Sequence, residues 1–354
     1  RRYAPGRSLR SRRCWRALYF LVQGARLKEK PLDLERLIHE SLEQLGWTAD
    51  AGSIADRVKR LNIGLPLEDE FSIICGWLGQ CNLIHKLDQQ QYPKFSKESF
   101  QVPDLLANFR VRGARETTVL IEVKSSEKNV LSFRPDYVYK LNAYGSLLGL
   151  PVLIAWRKYG IWTLVHLDVF SKENKNFNLS FNEAMRHSLM SKFAGDFSYT
   201  PQVNSGVHIS FKKEKLIETV EIDEGLQEKW HMVIDDVYFT NGDREVIRKL
   251  SPIAQQLFHS WDLVTTETHS DSHVVMHNTI EEQSGMFAHM ALTRLLSFHG
   301  REEEVHWRRH LQQDASISNI MNFRSGIDEN LRAGIIKYIF DIEPANVPGF
   351  LNEI

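Results

Sequence analysis

The sequence has no stretch long enough to be a membrane-spanning helix. Its longest apolar run, near Leu147–Trp156, is about half of the ~18 residues needed to cross a bilayer. Cysteine is scarce: Cys14, Cys75 and Cys81 are too few for a disulfide framework or a four-cysteine zinc site. A reducing, cytoplasmic compartment is therefore the expected setting. No Gly-rich loop of the phosphate-cradling kind precedes a Lys-Ser or Lys-Thr, which sets aside ATP hydrolysis by such a loop. Internal repeats and low-complexity tracts are absent as well. What is present, 42% hydrophobic and 25% charged in 354 residues, can bury a sizeable core and excludes wholesale disorder.

The formal net charge of −1 hides an asymmetry. Residues 1–30 carry ten Lys/Arg against one acid, Glu29, and the rest holds 34 basic and 44 acidic residues, near −10. A chain that held nucleic acid through its overall field would be basic throughout. Any such contact must use a local basic surface or the N-terminal arm. The arm, from Arg1 to Arg16 and on to residue 30, has the composition of a nucleic-acid-binding tail, but disorder without function is the expectation. Its apolar segment Leu18–Val22 is too short for a signal peptide.

Helical spacing opens the folded part. Leu34, Leu37, Ile38, Leu42 and Leu45 share a face that stops at Gly46, and Ser53 caps a second helix carrying Ile54, Val58 and Leu61, so residues 31–65 form a helical extension. A third helix starts at Pro66, with Glu68, Asp69 and Glu70 in its first turn and Phe71, Ile74 and Leu78 on one face. Three strands follow, over Asn82–Asp88, Gln101–Val111 and Thr117–Lys124. A helix then runs from Pro135 to Leu148 and ends at Gly149. Pro151–Trp156 is a wholly apolar strand of the kind buried on both faces, and Lys158-Tyr159-Gly160 turns into a last strand, Ile161–His166. The order α-β-β-β-α-β-β over residues 66–170 defines an α/β core. Lys172–Asn178 is polar and Asn-rich and reads as a linker. Beyond it, strands at Val207–Phe211 and Ile217–Ile222 precede mostly helical text from Gln227 to Phe340. Residues 171–354 are thus expected to form an α-rich (α+β) accessory domain, for which sensing, DNA binding and oligomerisation are the open roles.

The chemistry gathers in the core. Pro103-Asp104 sits in one strand, and eighteen residues past Asp104 the next strand carries Glu122-Val123-Lys124. Period-2 geometry puts Glu122 and Lys124 on one face with Val123 pointing into the core. Pairing of the two strands brings Asp104 beside them. Mg²⁺ wants oxygen ligands, keeps several waters and takes one or two carboxylates from a protein. Asp104 and Glu122 supply these, the Val123 carbonyl adds an oxygen, and Glu70 or Glu68 on the preceding helix completes the metal site. Such a metal activates water and neutralises charge on a phosphate under in-line attack. Lys124 orients the water and stabilises developing charge, or serves as base if its pKa is depressed. The plainer alternative is that Asp104 caps a turn while Glu122 and Lys124 form an ordinary surface pair.

These residues and this element order resemble the PD-(D/E)XK nuclease superfamily, with its restriction-endonuclease-like and Holliday-junction-resolvase-like cores. The resemblance covers about 100 residues. It implies catalytic roles for Asp104, Glu122, Lys124 and Glu70, dependence on Mg²⁺ with Mn²⁺ as substitute, and a nucleic-acid substrate, expected to be double-stranded DNA. Family members often carry Gln-xxx-Tyr on the following helix. Here Lys140 replaces the Gln and Tyr144 keeps the Tyr. The implied function is a DNA endonuclease in prokaryotic defence, restriction or DNA processing, acting as a homo-oligomer with a possible protein partner and no membrane. A nuclease fold that only binds or assembles, or a ribonuclease on the same fold, are the rival readings.

Basic residues around this site supply the local positive surface that the charge distribution demands: Lys128, Arg134, Arg157 and Lys158 are expected to contact nucleic acid. Histidines crowd between His259 and His310, eight of the fourteen, but His269, His273 and His277 lack a convincing helix and a cysteine to complete a zinc site. Asp235-Asp236 and Glu302-Glu303-Glu304 are expected to be solvated faces, and Trp156 to be core rather than a base-stacking platform.

Overall fold

The structure, a computed structural model, describes residues 41–42, 44–45, 67–222, 225–299 and 323–351. The basic arm, almost all of the 31–65 extension, Glu302–Glu304, His306 and His310 lie outside the described residues. Among the described residues no helix is long and apolar enough to cross a membrane. The fold is mixed α/β. The chain divides into two compact units: one takes 67–198, 287–299 and 340–351, the other Tyr199–Met286 and 324–339.

The first unit is built on a five-stranded sheet ordered β1-β2-β3-β5-β6. Helix α1 (67–78) leads into β1 (Cys81–Lys86), β2 (Leu105–Arg110) and β3 (Glu116–Ser125), which pair antiparallel in turn. After β4 (Val130–Phe133) and α2 (Pro135–Leu148), β5 (Val152–Lys158) returns parallel to β3, with Glu122 level with Ile154. The hairpin to β6 (Ile161–His166) turns at Tyr159 and Gly160, both at positive φ, the conformation a two-residue hairpin needs. These elements follow the order expected for 66–170 except for β4, a short strand the sequence reading did not include; Pro135 starts α2 and a left-handed Gly149 closes it.

Alternation sorts the sheet into two faces. Leu105, Ala107, Phe109, Val119, Ile121, Val123, Leu153 and Ala155 pack with Phe71, Ile74 and Cys75 of α1. Leu120, Ile154, Trp156 and Val165 pack with Val138 and Leu141 of α2 on the opposite face. Trp156 is fully buried there, as core.

The linker expectation for Lys172–Asn178 is overturned. Those residues form β7 (Ser171–Glu173) and β8 (Asn176–Ser180), joined at Asn174 with φ 55° and paired with β4 in the order β4-β8-β7. Asn is one of the few residues that accepts the left-handed turn. Leu179 sits opposite Leu131 and Phe177 opposite Phe133, so a short alternation hid inside polar text. The short helices α3 (Phe181–Arg186) and α4 (Met190–Phe193) complete this stretch, and the unit runs on to Ser198.

The second unit corrects a further expectation. The text from Gln227 is not mostly helical: after the short β9 (Ser198–Pro201), β10 (Gly206–Ile222) and β11 (Gly225–Thr240) form one long ribbon, and with β12 (Val246–Ile247), β13 (Val264–His269) and β14 (His273–Thr279) they make a sheet ordered β12-β11-β10-β14-β13. Val233, Ile234, Val237, Tyr238 and Phe239 are β-branched or aromatic residues, which favour a pleated strand. The strands β13 (Val264–His269) and β14 (His273–Thr279) occupy the His-rich text, so the four-residue histidine spacing shares no helix face. Among the described residues, helices here are limited to short pieces and 323–332.

Tight packing between α2 and β5 yields a test. A Cβ on Gly145 would lie 2.7 Å from Val152 Cγ2 and 2.8 Å from the Leu150 carbonyl oxygen, whereas one on exposed Gly76 would meet nothing within 4 Å. Gly145→Ala should lower stability by about 1–3 kcal/mol. Gly76→Ala, in the same urea unfolding experiment, should raise it by up to ~1 kcal/mol through helix propensity alone.

Candidate active site

The register of β2 on β3 pairs Leu105 with Ile121, which brings Asp104 level with Glu122 just before β2 begins. The Asp104 side chain is fixed there: its Oδ2 accepts the Val123 backbone N–H at 2.7 Å. Val123 faces α1, so Glu122 and Lys124 face α2. The structure therefore brings Asp104, Glu122 and Lys124 together at one end of the sheet.

Glu122 is not half of a surface pair, since only 2% of it is exposed. Its Oε1 takes two donors, the Lys124 ammonium and the Tyr137 hydroxyl. Its Oε2 is buried without a partner. Burial pushes the Glu122 carboxyl above its ordinary value; the Lys124 charge opposes this and the Asp104 charge adds to it. Lys124 is held as an ammonium: burial works against its charge, but Glu122, Tyr137 and Asp104 outweigh burial and raise its pKa. Of the two roles open to Lys124 in the sequence, this favours the orienting cation over the base. Tyr137 is held as a phenol, raised by burial and then by the neighbouring Glu122.

The two helical acids part company. Glu70 belongs to the α1 side of the sheet, where its Oε1 accepts from Arg157 Nε and Trp162 Nε1, both at 3.0 Å. The strands stand between it and Glu122. Glu68 instead shares Lys86 with Asp69, at 3.0 and 2.8 Å. Its carboxyl is pushed up to about 7, first by burial, then by the Asp104 charge against the pull of Lys86. Glu68, two residues earlier on the helix than Glu70, is therefore the one of the two that feels the Asp104 charge.

Other expected residues are placed as follows. Lys140 pairs with Asp136 one turn away at 3.1 Å, and Tyr144 packs against the core beneath α2. Neither is bonded to Glu122 or Lys124. Lys128 and Arg134 are exposed. Arg157 is engaged by Glu70. Lys158 is 3% exposed, bonded to the Asn129 amide oxygen and lying over Phe181, so it is buried structure rather than a phosphate contact. Tyr137 was not singled out in the sequence. Its signal was there: Pro135 starts α2 and Tyr137 lies in its first turn, on the helix that Glu122 must face once Val123 faces α1.

The residues fit a hard divalent cation in one respect. A buried carboxylate oxygen lacking any donor, beside a second carboxylate that raises its pKa, is an excess of negative charge that such an ion neutralises. The set is small: among the described residues no group of three or more His, Cys, Asp or Glu is placed to hold a metal. Asp104 and Glu122 would be the protein ligands with water filling the rest; the Val123 carbonyl already accepts Lys124 Nζ at 3.2 Å. A cavity of about 1010 Å³ in this unit lies elsewhere, between residues such as Pro151, His166, Leu179 and Phe350, and contains none of these groups. In the other unit His277 and His208 meet through their Nδ1 atoms at 2.8 Å and bond onward to Thr268 and Thr240.

No family model and no curated protein matches the chain. Among solved structures, a Holliday junction resolvase of the hyperthermophilic archaeon Archaeoglobus fulgidus matches with 18% identity over 33% of this chain and 88% of that one, at a TM-score of 0.27.

The Glu70–Arg157 pair gives the test of this placement. Arg157→Ala leaves a carboxylate with 5% of its side chain exposed and only Trp162 as partner. It should cost about 2–3 kcal/mol in chemical denaturation, with much of this recovered by adding Glu70→Met.

Proposed function

We propose that this chain is a metal-dependent nuclease that hydrolyses phosphodiester bonds in nucleic acid, with duplex DNA as substrate. The observation that carries the reading is the buried, unpartnered Oε2 of Glu122 next to Asp104 and the Lys124 ammonium. Those are the three residue types, in the strand positions, that the PD-(D/E)XK resemblance calls for. Mg²⁺, or Mn²⁺ in its place, would be held by Asp104 and Glu122 and would supply Lewis acidity toward the phosphate and its attacking water. Asp104, tied to the Val123 N–H, keeps a fixed position for this work. Lys124, as an ammonium, orients the attacking water and offsets charge that builds on the phosphate. Glu68 is the better candidate than Glu70 for the additional acid, because Glu70 is committed to Arg157 and Trp162.

Lys128 and Arg134, both exposed on the segment from β3 into α2, are the cations best placed to follow a phosphate backbone. Cutting both strands of a duplex takes two sites, which makes a homo-oligomer the working form. A role in prokaryotic defence, restriction or DNA processing follows by analogy with the superfamily, with the second unit, and a protein partner if there is one, supplying recognition or gating. A second reading, a nuclease fold that binds without cutting, is favoured by the small ligand set and by Lys140 where the family often has Gln.

Cleavage of supercoiled plasmid, linear duplex and single-stranded RNA, with Mg²⁺, Mn²⁺ or EDTA, separates these readings. The wild type should cut DNA only with metal, and Lys124→Ala should be slower by about 10²–10³-fold. Cutting of RNA alone would make it a ribonuclease. Equal cutting by Lys124→Ala would overturn the site, and no metal-dependent cutting of any substrate would favour the binding module.

A further inference from the structure

Glu122 is held by more than its ion pair. Both of its donors arrive on one oxygen, Oε1: the Lys124 ammonium from its own strand and the Tyr137 hydroxyl from α2. The other oxygen, Oε2, is buried and takes none. A carboxylate is symmetric, so this difference is imposed by where the donors stand. Lys124 has a flexible stem, 30% of its side chain is exposed, and its Nζ is shared with the Val123 carbonyl. Tyr137 is the rigid partner. It has two side-chain torsions, its ring packs on Phe133 with centroids 5.5 Å apart, and its backbone N–H is pinned to the Arg134 carbonyl at 3.1 Å in the first turn of α2. Lys124 Nζ also lies 5.7 Å from the Tyr137 ring centroid, so the phenol borders both members of the pair.

We propose that Tyr137 is the positioning residue of this site: by claiming Oε1 of Glu122 it leaves Oε2 as the oxygen that would take a divalent cation. The inference rests on the metal-site reading above and adds to it a residue on α2 that touches neither the phosphate nor the metal. It differs from the roles expected for Lys140 and Tyr144, which lie further along the same helix and make no bond to Glu122. Removing the hydroxyl leaves Glu122 held by Lys124 alone, free to rotate and to offer either oxygen. The cation is then bound by a less ordered ligand, and affinity falls. Outer partners of metal ligands act in this way, with losses of about 10–100-fold when removed.

The test is a calorimetric titration of the full chain with Mn²⁺ and no nucleic acid, on the wild type, Tyr137→Phe and Tyr144→Phe. Tyr137→Phe deletes one oxygen and keeps the ring packing, and its thermal midpoint without metal should stay within a few degrees of wild type. Its Mn²⁺ affinity should fall about tenfold or more, while Tyr144→Phe should bind as wild type does. In cleavage, the metal concentration needed for half-maximal rate should rise by a similar factor for Tyr137→Phe, with the rate recovered at saturating Mn²⁺. A merely structural role would lower the thermal midpoint and would not be rescued by metal. Unchanged Mn²⁺ affinity in Tyr137→Phe overturns the proposal and leaves the metal site standing. No Mn²⁺ binding by the wild type overturns both.

Discussion

The removal of one carboxylate from water governs this structure. Glu122 lies near the end of β3 with Ile154 level with it on β5, under α2 and beside Trp156 and Leu120 of the same core face. A charge in that position is costly unless it is paired and hydrogen-bonded. Lys124, two residues on, and Tyr137, from the helix above, meet that requirement on Oε1, and Asp104 is held alongside by the Val123 N–H. The arrangement compensates one oxygen and leaves the other exposed to no donor. Simple stability would favour a hydrophobic side chain at this point, so the retained charge asks for a function, and a cation is the natural complement.

The sheet that carries Glu122 also explains which neighbours can help it. Because alternation sends Val123 toward α1, everything on α1 that faces the core is on the far side of the strands from Glu122. Glu70 is the clearest case: its carboxylate is used to satisfy Trp162 and Arg157 on that far face. Glu68 escapes this fate: it pairs with Lys86 at the end of β1, level with Leu105, and its carboxyl feels the Asp104 charge. Arg157 and Lys158 show the same rule on β5, where successive residues point to opposite faces and are absorbed there by Glu70 and Asn129.

Much of the first unit was legible in the sequence, for identifiable reasons. Apolar alternation marked β2 and β3, an unbroken apolar run marked β5, and Pro135 and Gly149 bracketed α2. The pairing that puts Asp104 beside Glu122 followed from period 2. What stayed hidden was non-local. Strands β7 and β8 are short, and their apolar residues are only Phe177 and Leu179, set among asparagines whose turn-forming chemistry suggested a linker. The β10–β11 ribbon mixes exposed charge with Val233, Ile234 and Val237, themselves exposed, and slips register three times, so it carries no clean alternation. Tyr137 falls outside the Lys140–Tyr144 spacing that the family resemblance singles out, although strand parity and the start of α2 point to the first turn.

The most direct measurement of the central claim is thermal unfolding of the wild type and Asp104→Ala with and without Mn²⁺. A ligand that binds only the folded chain stabilises it, by about 2.7 kcal/mol at a hundredfold excess over its Kd. The account predicts an upward shift of the midpoint with Mn²⁺ in the wild type and none in Asp104→Ala. An equal shift in both proteins, or none in the wild type, would contradict it.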